Sequence, residues 1–137
     1  ASMEKNTRQR AAIVETVHDA GRPLLPHEIL DRARRHVPTL SLATVYRNLK
    51  LLVDDGALQV VHLPGEVGRY EVAGRGHHHH FRCRQCERVY DIPGCAGHLD
   101  AMLPRGFTAE DHEITFYGRC AECQHGGRRG RSAKGAA

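Results

Sequence analysis

Gly76-His77-His78-His79-His80-Phe81-Arg82-Cys83-Arg84-Gln85-Cys86 decides how the rest of the chain is read. Four consecutive histidines run into a Cys-x-x-Cys pair, and a second pair, Cys120 and Cys123, stands further along. Imidazole and thiolate hold borderline-soft divalent ions best, and both are crowded here into eleven residues. The two sulfurs of one knuckle reach a single ion at about 2.3 Å, and two knuckles close a tetrahedron with no open position. Cys83, Cys86, Cys120 and Cys123 therefore predict a structural zinc centre. The 33 residues between the inner cysteines leave room for a small domain between the knuckles. A redox Cys-x-x-Cys or a set of buried free thiols is the competing reading, and two pairs in one short segment weigh against it.

The histidine run reads differently, because successive side chains on a strand point to opposite faces. His78 and His80 face one way, His77 and His79 the other, so one run can serve two metal sites. Glu71 and Asp91 are candidate partners for the first face; Cys95, His98 and His112 are candidates for the second. A solvated polar loop that binds metal only adventitiously is the bland alternative. His18, His27, His36, His62 and His125 read as surface residues.

Outward from this segment, 137 residues with 40% hydrophobic content suit one domain or two small ones sharing a modest core. A net charge of +4 permits nucleic-acid binding without requiring it. No apolar run approaches the ~20 residues of a membrane span, and no secretory pattern opens the chain. With no export signal, paired cysteines favour metal over disulfides, and the expected location is the cytoplasm. Ala1 and Ser2 before Met3 are expected to be a cloning remnant.

Toward the N-terminus, the spacing predicts a helix over 6–20, capped by Thr7, with Ile13, Val14 and Val17 on one face. A second helix is expected from Pro26 to about Val37. Ser41 or Thr39 caps a third, with Leu42, Val45, Leu49, Leu52 and Val53 as its apolar stripe. Strands over 58–63 and 69–72 follow, joined by a hairpin loop. Three helices and a hairpin make the plan of a winged helix-turn-helix, whose last helix enters the major groove. Thr44, Tyr46, Arg47 and Lys50 are expected to face outward there, and Lys5, Arg8 and Arg10 to lie along phosphates. The competing reading is an ordinary amphipathic helix with a solvated face. Beyond the hinge, strands are expected over 79–82, 88–92 and 113–117, and a short helix over 96–103. The fold class is thus α+β: a winged-helix domain over 3–73, a hinge at 74–76, an α/β metal-binding domain over 77–124 and a disordered basic tail over 125–137.

Thr7-Arg8-Gln9-Arg10, Ser41-Leu42-Ala43-Thr44-Val45-Tyr46-Arg47-Asn48-Leu49, Tyr70-Glu71, the His-Cys segment, His112 and Tyr117-Gly118-Arg119-Cys120-Ala121-Glu122-Cys123 together resemble the ferric uptake regulator superfamily, in order and over nearly the whole chain to Cys123. The resemblance implies a homodimeric, metal-activated transcription repressor with an N-terminal winged-helix domain and a C-terminal α/β dimerisation domain. It implies structural zinc at Cys83, Cys86, Cys120 and Cys123, a regulatory hinge site at Glu71, His78 and His80 with Asp91 as its acidic residue, and a third site at His77, His79 and His112. The fourth ligand of that third site is usually Glu, and Cys95 stands in its place. Tyr46 and Arg47 match the base-contacting pair and Lys5 a minor-groove lysine. Pro23 stands where many members carry a hinge histidine, and His27 lies off that register.

A thiolate at the third site suits zinc better than iron(II) or manganese(II). The expected protein is a zinc-sensing repressor that binds operator DNA as a homodimer, with no membrane partner. Iron-, manganese-, nickel- or peroxide-sensing members of the same family are alternatives. From other classes, a zinc-storage protein and a zinc hydrolase compete; the hydrolase lacks a His-Glu-x-x-His motif. An enzyme is not expected.

Overall fold

Polar, helix-favouring residues lead into the first helix, and it runs from Ser2 to Ala20 (α1) in this computed structural model, which describes residues 2–95 and 97–126. Thr7 therefore lies inside α1 and is not its N-cap. Gln9, Ala12, Ile13, Thr16 and Val17 are buried at helical spacing, one stripe facing the core. Gly21, at φ 64, ends the helix in a conformation that only glycine takes without strain.

Pro26 opens α2 (Pro26–Ala33), where its missing N–H costs nothing. The Glu28 carboxylate accepts from the Leu25 amide at 2.9 Å, satisfying one exposed donor of the first turn. Pro26, Ile29, Leu30 and Ala33 are buried. The helix stops at Ala33, short of the expected Val37, and turns fill the gap before Pro38. Ser41, not Thr39, caps α3 (Leu42–Asp54): its Oγ accepts the Thr44 amide at 3.2 Å. Val45, Leu49 and Leu52 form the buried stripe, whereas Leu42 is exposed and Val53 only half-buried.

The wing is β1 (Leu58–Val61) paired antiparallel with β2 (Arg69–Val72). A single bridge between Leu24 and Tyr70 adds a third short edge. One continuous core joins α1, α2, α3 and β1 through Ile13, Leu24, Ile29, Leu40, Val45, Leu49 and Leu58. These elements make up the first of two compact units, which ends at Arg75; the second begins at Gly76.

The second unit is a three-stranded sheet in the order β4-β3-β5, formed by β3 (His78–Cys83), β4 (Val89–Pro93) and β5 (Thr115–Gly118). β3 pairs antiparallel with β4 and parallel with β5. In place of the expected helix over 96–103 there is one 3-10 turn, Leu99–Met102, and Ala96 lies outside the described residues. A last helix, α4 (Ala121–Gly126), carries Cys123 and takes in the first residues of the expected tail. The rest of that tail lies outside the described residues. Few apolar side chains of this unit are buried, Val89 chief among them, while Met102, Phe107, Phe116 and Tyr117 are exposed. A core this small depends on a staple.

Candidate metal centres and nucleic-acid interface

β3 delivers Cys83 at its end, and the Cys83 amide bonds Arg88 O across the knuckle at 2.9 Å. The chain reverses through Glu87, at φ 66, which lets Cys86 fold back beside Cys83. The sulfurs of Cys83 and Cys123 are 3.7 Å apart, and those of Cys86 and Cys120 are 3.9 Å apart. A zinc–thiolate tetrahedron with bonds of about 2.3 Å has edges of about 3.8 Å. The four sulfurs therefore already outline that polyhedron, and they fit zinc. Burial opposes ionisation of Cys83, but the amides of Cys86, Cys120 and Gln85 outweigh it and bring the thiol from 9.0 down to about 6. Burial likewise opposes ionisation of Cys120, and the Tyr90 hydroxyl, donating to it, brings its pKa below the ordinary value. Burial pushes Cys86 up, and pushes Cys123 up to about 12 with help from the neighbouring sulfurs.

His77, His79, Cys95 and His112 form a second cluster, each offering a ligand atom within 4.8 Å of the others. His112 Nε2 lies 3.1 Å from His77 Nε2 and 3.1 Å from Cys95 Sγ. Two nitrogens of a zinc tetrahedron at about 2.0–2.1 Å bonds stand about 3.4 Å apart, so these atoms are already near a shared ion's shell. His79 is buried: its Nδ1 accepts the Ile114 amide at 3.2 Å, and its Nε2 has no hydrogen-bond partner among the described residues. Burial, and after it the nearby His77 and His112, lowers the His79 pKa, which keeps the ring neutral. His98, a candidate from the sequence, stands outside this group at φ 52, exposed, ahead of the 3-10 turn.

On the other face of β3, His78 and His80 point together, with ring centroids 4.9 Å apart. The strand register sets Asp91 directly opposite His80. Asp91 Oδ1 lies 3.3 Å from His80 Nε2 and 3.6 Å from His78 Nε2. The His78 Nδ1–H donates to Gly76 O at 2.9 Å, which leaves Nε2 as the ring's lone-pair nitrogen. Gly76 holds φ 74, so a side chain there would strain the carbonyl that orients this ring. In the first unit, Glu71 is a buried carboxylate on β2 that accepts from Gln59 Nε2.

On α3, Tyr46 is exposed, as are Arg47 and Lys50; Lys50 pairs with Asp54 at 3.6 Å along the helix surface. Thr44 corrects the expectation that it faces outward. It is buried, and its hydroxyl accepts from Arg47 Nη2 at 3.1 Å and lies 3.0 Å from Ser41 Oγ. Thr44 thus aims the Arg47 guanidinium. Asn48 was not anticipated: buried, it donates to Thr44 O at 2.9 Å and faces Arg10 Nε at 3.5 Å, linking α1 to α3. Its polarity amid a hydrophobic stripe was the available signal. Lys5, Arg8 and Arg10 are all exposed on α1.

No described helix is long and apolar enough to cross a membrane. The family described as "Ferric uptake regulator family" matches residues 2–117. The chain is similar to Ferric uptake regulation protein 2 of Mycolicibacterium fortuitum, 31% identical over 122 residues, which are 85% of this chain and 84% of that one. Its fold is similar to that of the Helicobacter pylori ferric uptake regulator Fur, whose structure is described as revealing three functional metal binding sites (TM-score 0.67, 25% identity, 90% of this chain and 87% of that one). It is also similar to a zinc-bound manganese uptake regulator (TM-score 0.70, 26% identity, 82% and 87% covered). With a winged helix, a sheet carrying three clusters of metal-binding side chains and a family match over most of its length, this chain belongs to the ferric uptake regulator family of metal-responsive transcriptional regulators.

Proposed function

We propose that the protein is a zinc-sensing repressor that binds operator DNA as a homodimer when its hinge site is metallated. The observation that carries zinc is the exposed thiol of Cys95 held at 3.1 Å from His112 in a cluster of three imidazoles. Sulfur and nitrogen donors favour zinc over the harder iron(II) and manganese(II). The four-cysteine centre holds structural zinc, and its edges of 3.7 and 3.9 Å support that assignment.

The regulatory ion is held by His78, His80 and Asp91, with Glu71 of the winged-helix unit as a further ligand, an assignment that rests on the family resemblance. Loading this site fixes the presentation of α3, where Tyr46 and Arg47 read bases while Lys50, Lys5 and Arg8 hold phosphates. A partner copy covers β5, an edge strand whose Phe116 and Tyr117 are exposed. The oxygen and nitrogen donors at the hinge also support an iron(II)- or manganese(II)-sensing reading.

One titration separates the two. Duplex DNA is selected from a random library by metal-loaded protein, and retardation is then measured against each divalent ion, with bound metal quantified alongside. Zinc is expected to restore binding to chelated protein at the lowest free concentration. Restoration by iron(II) or manganese(II) alone would overturn the zinc reading.

A further inference from the structure

Cys95 is the only cysteine outside the four-sulfur cluster, and it is exposed. It follows Gly94, at φ 82, just beyond the end of β4, and its sulfur lies against His112 Nε2. The other members of that cluster are imidazoles, one of them His79, which is buried and has a ring nitrogen without a hydrogen-bond partner among the described residues. The two kinds of centre in this unit therefore differ in how they meet an oxidant. The four-cysteine centre is a closed tetrahedron with Cys83 and Cys120 buried and Cys86 exposed, so loss of one sulfur there still leaves three on the ion. The mixed cluster has one sulfur, at the surface, beside three imidazoles.

We propose that Cys95 makes the mixed centre a redox-gated zinc site, holding its ion through a thiolate and releasing it when a hydroperoxide oxidises that sulfur. The proposal rests on the reading of His77, His79, Cys95 and His112 as a zinc centre. In the first step the Cys95 sulfur attacks one oxygen of the hydroperoxide. An S–O bond forms as the O–O bond breaks, and the leaving oxygen takes a proton, giving water from hydrogen peroxide. The sulfur loses two electrons, which reduce the peroxide, and Cys95 becomes a sulfenic acid. A small intracellular-type thiol then attacks this sulfur: an S–S bond forms, the S–O bond breaks and water leaves. Neither product carries the thiolate charge, and three imidazoles are left to hold the ion. A dithiol then reduces this mixed disulfide: it closes into its own disulfide, the Cys95–thiol S–S bond breaks, and Cys95 and the small thiol are released as thiols.

No second cysteine lies in this cluster, so the reversible cap must come from a small thiol and not from an internal disulfide. A carboxylate at position 95 has no thiol for peroxide to oxidise, so Cys95→Glu isolates the loss of zinc that oxidation at this position causes.

The experiment uses the full chain loaded with zinc. Hydrogen peroxide is added with glutathione, released zinc is followed with a chromogenic chelator, and modified cysteines are mapped by mass spectrometry. The wild type is expected to release the ion of the mixed centre alone, with Cys95 the first residue modified, and to rebind it after dithiothreitol. Whatever zinc Cys95→Glu holds before oxidation is expected to stay bound under peroxide, each protein being read against its own unoxidised content. Release at an equal rate from Cys95→Glu, or oxidation of the four-cysteine centre ahead of Cys95, would overturn the proposal. Zinc stoichiometry of the reduced wild type against His112→Ala tests the underlying reading separately. If the two bind equal zinc, the cluster is not a zinc centre and the gate falls with it. If His112→Ala binds less but peroxide releases nothing from the wild type, the gate alone falls.

Discussion

Asp91 reaches two imidazoles with one carboxylate, so its loss removes the charge that would balance a divalent ion there. Asp91→Ala is expected to lower affinity for the proposed regulatory ion while leaving the proposed zinc at the four cysteines; elemental analysis after mild chelation reads both. Arg47, aimed by the buried Thr44, is proposed to read a base, and Arg47→Ala is expected to cost about 1–3 kcal/mol of operator affinity. Thr44→Val should weaken binding less and relax base preference, measured by retardation on matched and altered duplexes. The cysteines give a prediction in protons. Cys86 and Cys123 are held as thiols, so zinc entry must displace at least their protons at neutral pH, and calorimetry in buffers of different ionisation enthalpy counts them. For His79 the sign also follows from the shift. Its folded pKa lies below 6.5, so the unfolded chain binds more protons and stability rises with pH. In metal-free protein this contribution is complete above 6.5 and is lost as pH falls through the folded value. Denaturant midpoints taken on either side of 6.5 should show it, with the drop reduced in His79→Gln.

At the scale of elements, periodicity carried most of the reading. Strand alternation sorted His77 and His79 from His78 and His80 because a period of two has no ambiguity of face once a strand is granted. The wing strand β2 spans the expected residues, since Arg69-Tyr70-Glu71-Val72 alternates between turn-forming neighbours. Helix ends were less legible. Thr7 has the chemistry of a cap, but a hydroxyl cannot stop a helix that its polar predecessors are able to extend. Thr44 was misplaced because its own hydrogen bonds to Ser41 and Arg47 let a polar side chain turn inward. Asp91 was visible as a candidate, but its place opposite His80 is a fact of strand register, which no local pattern encodes. Leu49 lies in the middle of the buried stripe of α3, and Leu49→Ala is expected to cost about 2–5 kcal/mol in denaturant unfolding.

For the whole molecule, stability has two different sources. The first unit has a continuous apolar core, while the second buries few apolar side chains and is held at its end by four sulfurs. Strong chelation is therefore expected to unfold the second unit and leave the helical signal of the first, a two-step loss that circular dichroism can follow against zinc release. One strand also lies at the root of every metal assignment: β3 and the residue before it supply side chains to all three clusters. An insertion or deletion of one residue between His80 and Cys83 would turn the histidines over relative to Cys83, so that one group or the other leaves its centre. Substitutions at Cys95 or Asp91, each on another segment, alter one centre and leave the others as they are. Descendants of this sequence can thus drift toward a new ion or a new signal only from the periphery, with β3 as the inherited constant against which each change is tried.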